Sequence, residues 1–209
     1  MIVTEEGVTV RSGSPEDCSD FIKLVVLSEP KSYFVELFGD NYLRIISSMF
    51  KVKGNTFSYD STIWATKANK ILGMLLGYSF DDLQKISFGS ILSFVTVSRL
   101  EFLPSILKII KLDKSVPKIE EGDFYISNIA VYPKYRGMGI GTKLLKEAER
   151  ISLNLGCDRL ALDVSYENKG AMVFYKRFGF YELSEGKEVD IHGRKFKFIR
   201  FVKDLKSSL

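Results

Sequence analysis

Histidine and cysteine are nearly missing from this chain. His192 is the sole histidine among 209 residues, and Cys18 and Cys157 are the two cysteines. A disulfide scaffold, a four-cysteine zinc site and a multi-histidine metal centre are therefore excluded. A Ser-His-Asp triad would have to be assembled around His192 alone. Long apolar runs are also lacking. The most membrane-like stretch, 86 to 110, is interrupted by Arg99, Glu101, Pro104 and Lys108, which leaves no window of about 18 uncharged residues to cross a bilayer. Residues Met1 to Arg11 contain no basic segment followed by an apolar one, so no export signal is expected. With free cysteines and no such signal, the expected compartment is the cytoplasm. Charge of one sign is in small excess: 30 Lys+Arg against 26 Asp+Glu give +4. That balance suits an anionic ligand. Without a basic-aromatic stripe it does not point to nucleic acid.

What is present is an ordinary globular composition, 45% hydrophobic and 27% charged, which excludes a disordered chain. At about 150 residues per domain, the length fits one domain with an elaboration. Val8 and Val10 mark a short strand. Ser14-Pro-Glu-Asp starts a helix carrying Phe21, Leu24, Val25 and Val26, and a second helix is expected around Tyr33 to Met49. Strands at about 62–67 and 71–79, joined by Ala68-Asn69-Lys70, read as a hairpin. Residues 80 to about 120, rich in Phe, Leu and Ile, are expected to form two short helices. Tyr125 to Val131 is an apolar strand, followed by the glycine-rich loop Arg136-Gly-Met-Gly-Ile-Gly141. The helix after it presents Leu144, Ala148, Ile151 and Leu155 on one side, and Gly156 stops it. A strand at 159–164, a helix at 169–177 and a terminal strand pair, 180–189 with 195–202 around His192-Gly193, complete the chain. No repeat or linker interrupts it. The expectation is a single α/β (α+β) domain over 1–209, with a mixed sheet of about six or seven strands flanked by helices. A helical insertion at 80–120 separates the third and fourth strands.

Strand, glycine loop and amphipathic helix together make an anion site, because the unpaired N–H groups of a helix N-terminus carry partial positive charge. Two familiar phosphate loops fail here. A G-x-G-x-x-G pattern requires glycine where Thr142 or Leu144 stands, and G-x-x-x-x-G-K-[ST] finds no match. The pattern that fits is Arg-x-x-Gly-x-Gly, at Arg136, Gly139 and Gly141. Downstream stand Asn168 and Ala171-Met-Val-Phe-Tyr175-Lys-Arg-Phe-Gly-Phe180. Together these two motifs resemble the GNAT superfamily of N-acetyltransferases over about residues 124 to 182.

The resemblance implies acetyl-CoA as cosubstrate, a primary amine as acceptor (a protein N-terminus, peptide or small molecule) and direct transfer through a tetrahedral intermediate, without a metal. Membrane and nucleic acid are not expected partners. It implies that Ile129, Ala130 and Val131 bond the pantetheine arm through their backbone, and that Arg136, Gly137, Met138, Gly139, Ile140, Gly141 and Thr142 cradle the pyrophosphate. Asn168 matches a pantetheine-binding position, or else it caps its helix. Lys134, Lys143, Lys169, Lys176 and Arg177 are candidates for the remaining phosphate, and Lys176 is taken among the site residues. Tyr175 matches the acid that protonates the leaving thiolate; its other role would be aromatic packing. Asp123, five residues before Asn128, takes the place of the general base, with Glu120 and Glu121 as alternatives. Residues 80 to about 120 are expected to be an acceptor-side lid, or else a homodimer interface. A coenzyme A-binding regulatory domain without turnover is the competing function.

Overall fold

The computed structural model describes residues 7–30, 33–86, 108, 112 and 116–205. The expected lid and the apolar residues Phe88, Ile91, Leu92 and Phe94 fall largely outside this set, as does the dimer alternative built on them. Residues 80–86 are helical.

The strands are β1 (Thr9–Ser12), β2 (Thr62–Lys67), β3 (Lys70–Ser79), β4 (Asp123–Val131), β5 (Arg159–Ser165), β6 (Tyr181–Glu185), β7 (Val189–Ile191), β8 (Arg194–Phe196) and β9 (Phe198–Asp204). The helices are α1 (Cys18–Ser28), α2 (Tyr33–Phe38), α3 (Tyr42–Phe50), α4 (Ile140–Asn154) and α5 (Lys169–Arg177). Seven strands form a mixed sheet in the order β1-β2-β3-β4-β5-β9-β6, and β7 with β8 make a separate hairpin. Among the sheet neighbours β4 and β5 run parallel and the rest antiparallel.

Three details differ from the sequence reading. The helix expected at 33–49 is two helices, because Gly39 takes a positive φ and the chain turns through Gly39–Asn41. The terminal strand pair is two pairs: β6 joins β9, while His192 and Gly193, both at positive φ, close the β7–β8 hairpin. Leu155, expected on the buried stripe of α4, is 54% exposed, because the helix proper ends at Asn154.

Side-chain alternation feeds a core on each face of the sheet. Trp64, Met74 and Leu76 meet Phe21, Leu24, Phe34 and Phe50 from α1 to α3. Ala65, Leu72 and Leu75 meet Leu144, Leu145 and Ala148 of α4 and Met172 of α5. A third cluster seats the hairpin on α2, through Ile191 and Phe196 against Leu37.

Two local features shape the functional face. First, β4 carries one extra residue. Leu76 pairs with Asn128 but Gly77 with Ile126, so Ser127 is a bulge. A Cβ on Gly77 would lie 2.9 Å from Phe124 and 3.0 Å from the Tyr125 carbonyl, so only glycine allows β3 this close. Bulges bend and twist a strand, and β4 pairs with β5 only from Asp123 to Ile126. Beyond that point the two parallel strands splay apart.

Second, Arg200 on β9 is 1% exposed and bonded through all three of its side-chain nitrogens. It donates to Asp163 from Nε at 2.8 Å and Nη2 at 2.9 Å, to the Lys118 carbonyl at 2.8 Å, and to the Pro117 carbonyl. Tyr125 donates to the same Asp163 at 2.9 Å. Removing one partner of such a buried pair strands the other's charge, so Arg200→Ala is expected to destabilise the fold by about 3–5 kcal/mol. Chemical denaturation of the variant checks this, and a loss under about 1 kcal/mol would show the pair to be dispensable.

Candidate active site

Where β4 leaves β5, a groove of about 1350 Å³ opens. Its walls are Ile126–Val131 on one side, and Leu162–Ser165 with the groove face of α5 on the other. Residues 135–142 close one end. Leu27–Pro30, Arg194–Phe196 and Phe198 close the other.

The loop end is built for an anion. Gly137 and Gly139 adopt φ of +75° and +76°, a region that side-chain-bearing residues avoid. Gly139 is the N-cap of α4, and no side chain caps that helix. The first turn thus directs backbone N–H groups and the positive end of a fifteen-residue dipole at the groove. Arg136, Gly137, Gly139, Ile140, Gly141 and Thr142 line it. Met138 does not; its side chain packs against the α4–α5 core. Ile129, Ala130 and Val131 line the groove along the part of β4 that has lost its β5 partner.

The remaining site candidates separate by helical phase. On α5, Ala171, Phe174, Tyr175 and Phe178 share a face at i, i+3, i+4 and i+7 and line the groove, as does Arg177. Lys176 points the opposite way and pairs with Glu182 at 2.7 Å. It does not line the groove, which corrects its assignment. Lys143 is spent as well, donating to the Val8 carbonyl at 2.5 Å. Lys134 and Lys169 lie over the rings of Tyr135 and Tyr166. Arg177 is therefore the α5 cation facing the groove. Asn168 caps α5, its Oδ1 accepting from the Ala171 N–H at 3.1 Å, and the residue also lines the groove.

Tyr175 packs against Phe174 and Phe180, with ring centroids at 5.3 and 5.6 Å. It also lines the groove, and its hydroxyl has no hydrogen-bond partner among the described residues. Burial pushes the phenol above its usual pKa.

Asp123 is not placed to act as a base. It is fully buried at the start of β4, three residues and about 10 Å of strand before the groove begins. Both carboxylate oxygens are engaged, Oδ1 by Arg159 Nε at 2.5 Å and Oδ2 by the Glu120 N–H at 2.8 Å. Glu120 is tied to the same arginine at 2.5 Å, and neither it nor Glu121 lines the groove. A short strand-start carboxylate next to an arginine-led parallel neighbour is an ion pair that holds β4 to β5.

A polar cluster absent from the sequence reading stands at the other end. Asn128 is 4% exposed; its Nδ2 donates to Glu29 Oε1 at 2.6 Å and Ser28 Oγ at 2.9 Å, and its Oδ1 accepts from Ser127 at 2.9 Å. Glu29 lines the groove. Desolvation pushes its carboxyl up to about 7, against the lowering pull of the Asn128 amide. Glu-Pro after an apolar helix signals a helix end; its contact with a strand a hundred residues away left no local signal.

With this geometry in view, a family model described as "Acetyltransferase (GNAT) family" matches residues 26–180. The chain belongs to the GNAT acetyltransferase family. The chain is 43% identical over 63 residues to thialysine N-ε-acetyltransferase of Bos taurus, covering 30% of this chain and 37% of that one. It is 39% identical over 56 residues to N-α-acetyltransferase 30 of Schizosaccharomyces pombe, covering 27% and 37%. The chain thus spans little more than a third of the length of these relatives. A solved structure described as an acetyltransferase superposes with a TM-score of 0.65 at 21% identity, over 95% of this chain and all of the other, and shares the GNAT fold.

Proposed function

We propose that the protein transfers an acetyl group from acetyl-CoA to a primary amine. The observation that carries this reading is the single groove that joins an uncapped, glycine-fronted helix N-terminus to a freed strand edge and to a tyrosine hydroxyl. The cavity fits the donor's chemistry part by part. The first turn of α4 and the loop from Arg136 to Thr142 receive the pyrophosphate. Arg177 is the cation for the remaining phosphate. The unpaired backbone of Ile129 to Val131 receives the amide-bearing pantetheine arm as an added strand would be received.

Transfer is direct. The amine nitrogen attacks the thioester carbonyl, the oxyanion is stabilised by backbone N–H near Val131, and collapse expels the thiolate, which Tyr175 protonates. Cys157 takes no part: it does not line the groove, and burial followed by nearby carboxylates pushes its thiol up, away from the reactive thiolate. The test is release of free thiol from acetyl-CoA over a panel of α-amino acids, peptides with free N-termini, lysine-type amines, polyamines and aminoglycosides. Thiol release matched by an acetylated acceptor in mass spectrometry is the expected result. Binding of acetyl-CoA with no release for any amine would reduce the protein to a coenzyme-binding module.

A further inference from the structure

We propose that Glu29 is the base that takes the proton from the acceptor amine, and that Asn128 is the positioning residue that holds it where β4 leaves β5. This rests on the acetyl-transfer reading above. Three observations lead to it.

The first is place. Glu29 follows α1 at the end of the groove opposite the phosphate loop, and its partner Asn128 stands two residues beyond Ile126, the last residue of β4 paired with β5. A thioester whose pantetheine arm follows the freed edge of β4 from the loop ends near that point, so an amine approaching from the far end meets Glu29.

The second is availability. Among the described residues two other carboxylates line the groove, Asp163 and Glu167. Asp163 is consumed by Arg200 and Tyr125. Glu167 is exposed at the rim, and its carboxylate has no hydrogen-bonding partner to orient it among the described residues. Glu29 is bonded through Oε1 to Asn128. Its other oxygen makes no hydrogen bond to a described residue.

The third is orientation. Asn128 cannot rotate its amide without cost: Nδ2 serves both Glu29 and Ser28, and Oδ1 is held by Ser127. A reversed amide would set its oxygen against the carboxylate. The side chain therefore fixes one oxygen of Glu29 and leaves the other facing the groove.

The surroundings suit the task. Tyr78 of β3 feels the Glu29 charge, and its own phenol is pushed up to about 12, first by burial. Asp163 on β5, Tyr175 on α5, and Arg194 and Lys195 of the hairpin share the groove. With its carboxyl near 7, Glu29 is largely deprotonated just above neutrality. An α-ammonium near 7.7–8.0 lies about one pKa unit above such a base, a tenfold deficit, whereas a lysine ammonium near 10.4 lies more than three units above it, over a thousandfold. In the complete step Glu29 takes one proton from the ammonium, and the freed nitrogen lone pair forms the C–N bond. The C–S bond breaks as Tyr175 gives its proton to sulfur, the second nitrogen proton leaves to water, and both residues then reset by exchange with water.

The experiment is kcat/KM against pH for the full chain, with an acceptor taken from the panel above, alongside calorimetric affinity for acetyl-CoA. The wild type is expected to lose activity tenfold per unit below about pH 7, because protonated Glu29 cannot accept. Glu29→Gln should lower kcat/KM at least a hundredfold and abolish that acid limb, with acetyl-CoA affinity retained. Asn128→Ser removes the amide that lowers the carboxyl, so the limb should move to higher pH. If Glu29→Gln fails to fold, Glu29→Asp decides: it should keep the limb and lose kcat. A folded Glu29→Gln, or a Glu29→Asp, with wild-type kcat/KM at every pH overturns the assignment. A wild type that acetylates no amine overturns the transfer reading, and this base with it.

Discussion

Gly139→Asp is expected to abolish acetyl-CoA binding while the fold survives. Gly139 is the N-cap of α4 with φ of +76°. Two penalties follow from an aspartate there. A Cβ in the left-handed region costs about 1–2 kcal/mol. A carboxylate within about 4 Å of a phosphate charge adds roughly 4 kcal/mol of repulsion at an effective dielectric near 20. Either the strain or the charge could weaken binding, and Gly139→Asn separates them. Asparagine tolerates the left-handed region and has the same shape without the charge. Calorimetry should therefore show at least a hundredfold loss for aspartate and a much smaller one for asparagine, with both proteins giving wild-type circular dichroism. Equal affinity for the aspartate variant would mean that the pyrophosphate lies elsewhere.

Tyr175→Phe is expected to lower kcat by about a hundredfold or more, the scale on which a positioned general acid contributes, with acetyl-CoA affinity unchanged. The substitution isolates the hydroxyl, because phenylalanine preserves the ring contacts with Phe174, Phe180 and Phe201. An ordinary phenol near 10 facing a thiol near 8.5 would give up its proton uphill by about 2 kcal/mol. Burial raises the phenol further, so it is protonated throughout the working range and ready to bond the sulfur as its negative charge grows. A kcat equal to wild type, measured where chemistry limits turnover, would leave Tyr175 as a packing residue.

The parts of the site that were legible in the sequence are those specified by neighbours in the chain. The Gly137–Gly139–Gly141 spacing could be read because a turn and a helix start are local events, and the phase of Tyr175 because α5 is a regular helix. Lys176 does not line the groove: five residues beyond Ala171, it falls off the i, i+3, i+4, i+7 face and pairs with Glu182 instead. Asp123 was misassigned for a different reason. Arg159, the partner that consumes it, lies thirty-six residues away and meets it only through parallel pairing of β4 with β5. Glu29 and Asn128 are separated by ninety-nine residues. No periodicity encodes such a meeting. In the fold, the sheet and its flanking helices followed from apolar alternation, whereas the β7–β8 hairpin did not, because its seat on α2 is a tertiary contact.

The bulge at Ser127 sets the parity of β4. Phe124 and Ile126 face the α4–α5 core before it, and Ile129 and Val131 face that same core after it, while Ala130 faces the α1–α3 core. Even positions serve one core upstream of the bulge, and odd positions serve it downstream. Ser127 and Asn128 consequently share a face, as their side-chain hydrogen bond at 2.9 Å requires. Excising Ser127 would therefore leave every remaining side chain of β4 on its present face. The bend and the Ser127 bond to Asn128 would go, and a straightened β4 is expected to extend its pairing with β5 past Ile126 at the expense of the cleft. The groove thus depends on one surplus residue in β4, and pairing continued past Ile126 would narrow the space where a ligand sits.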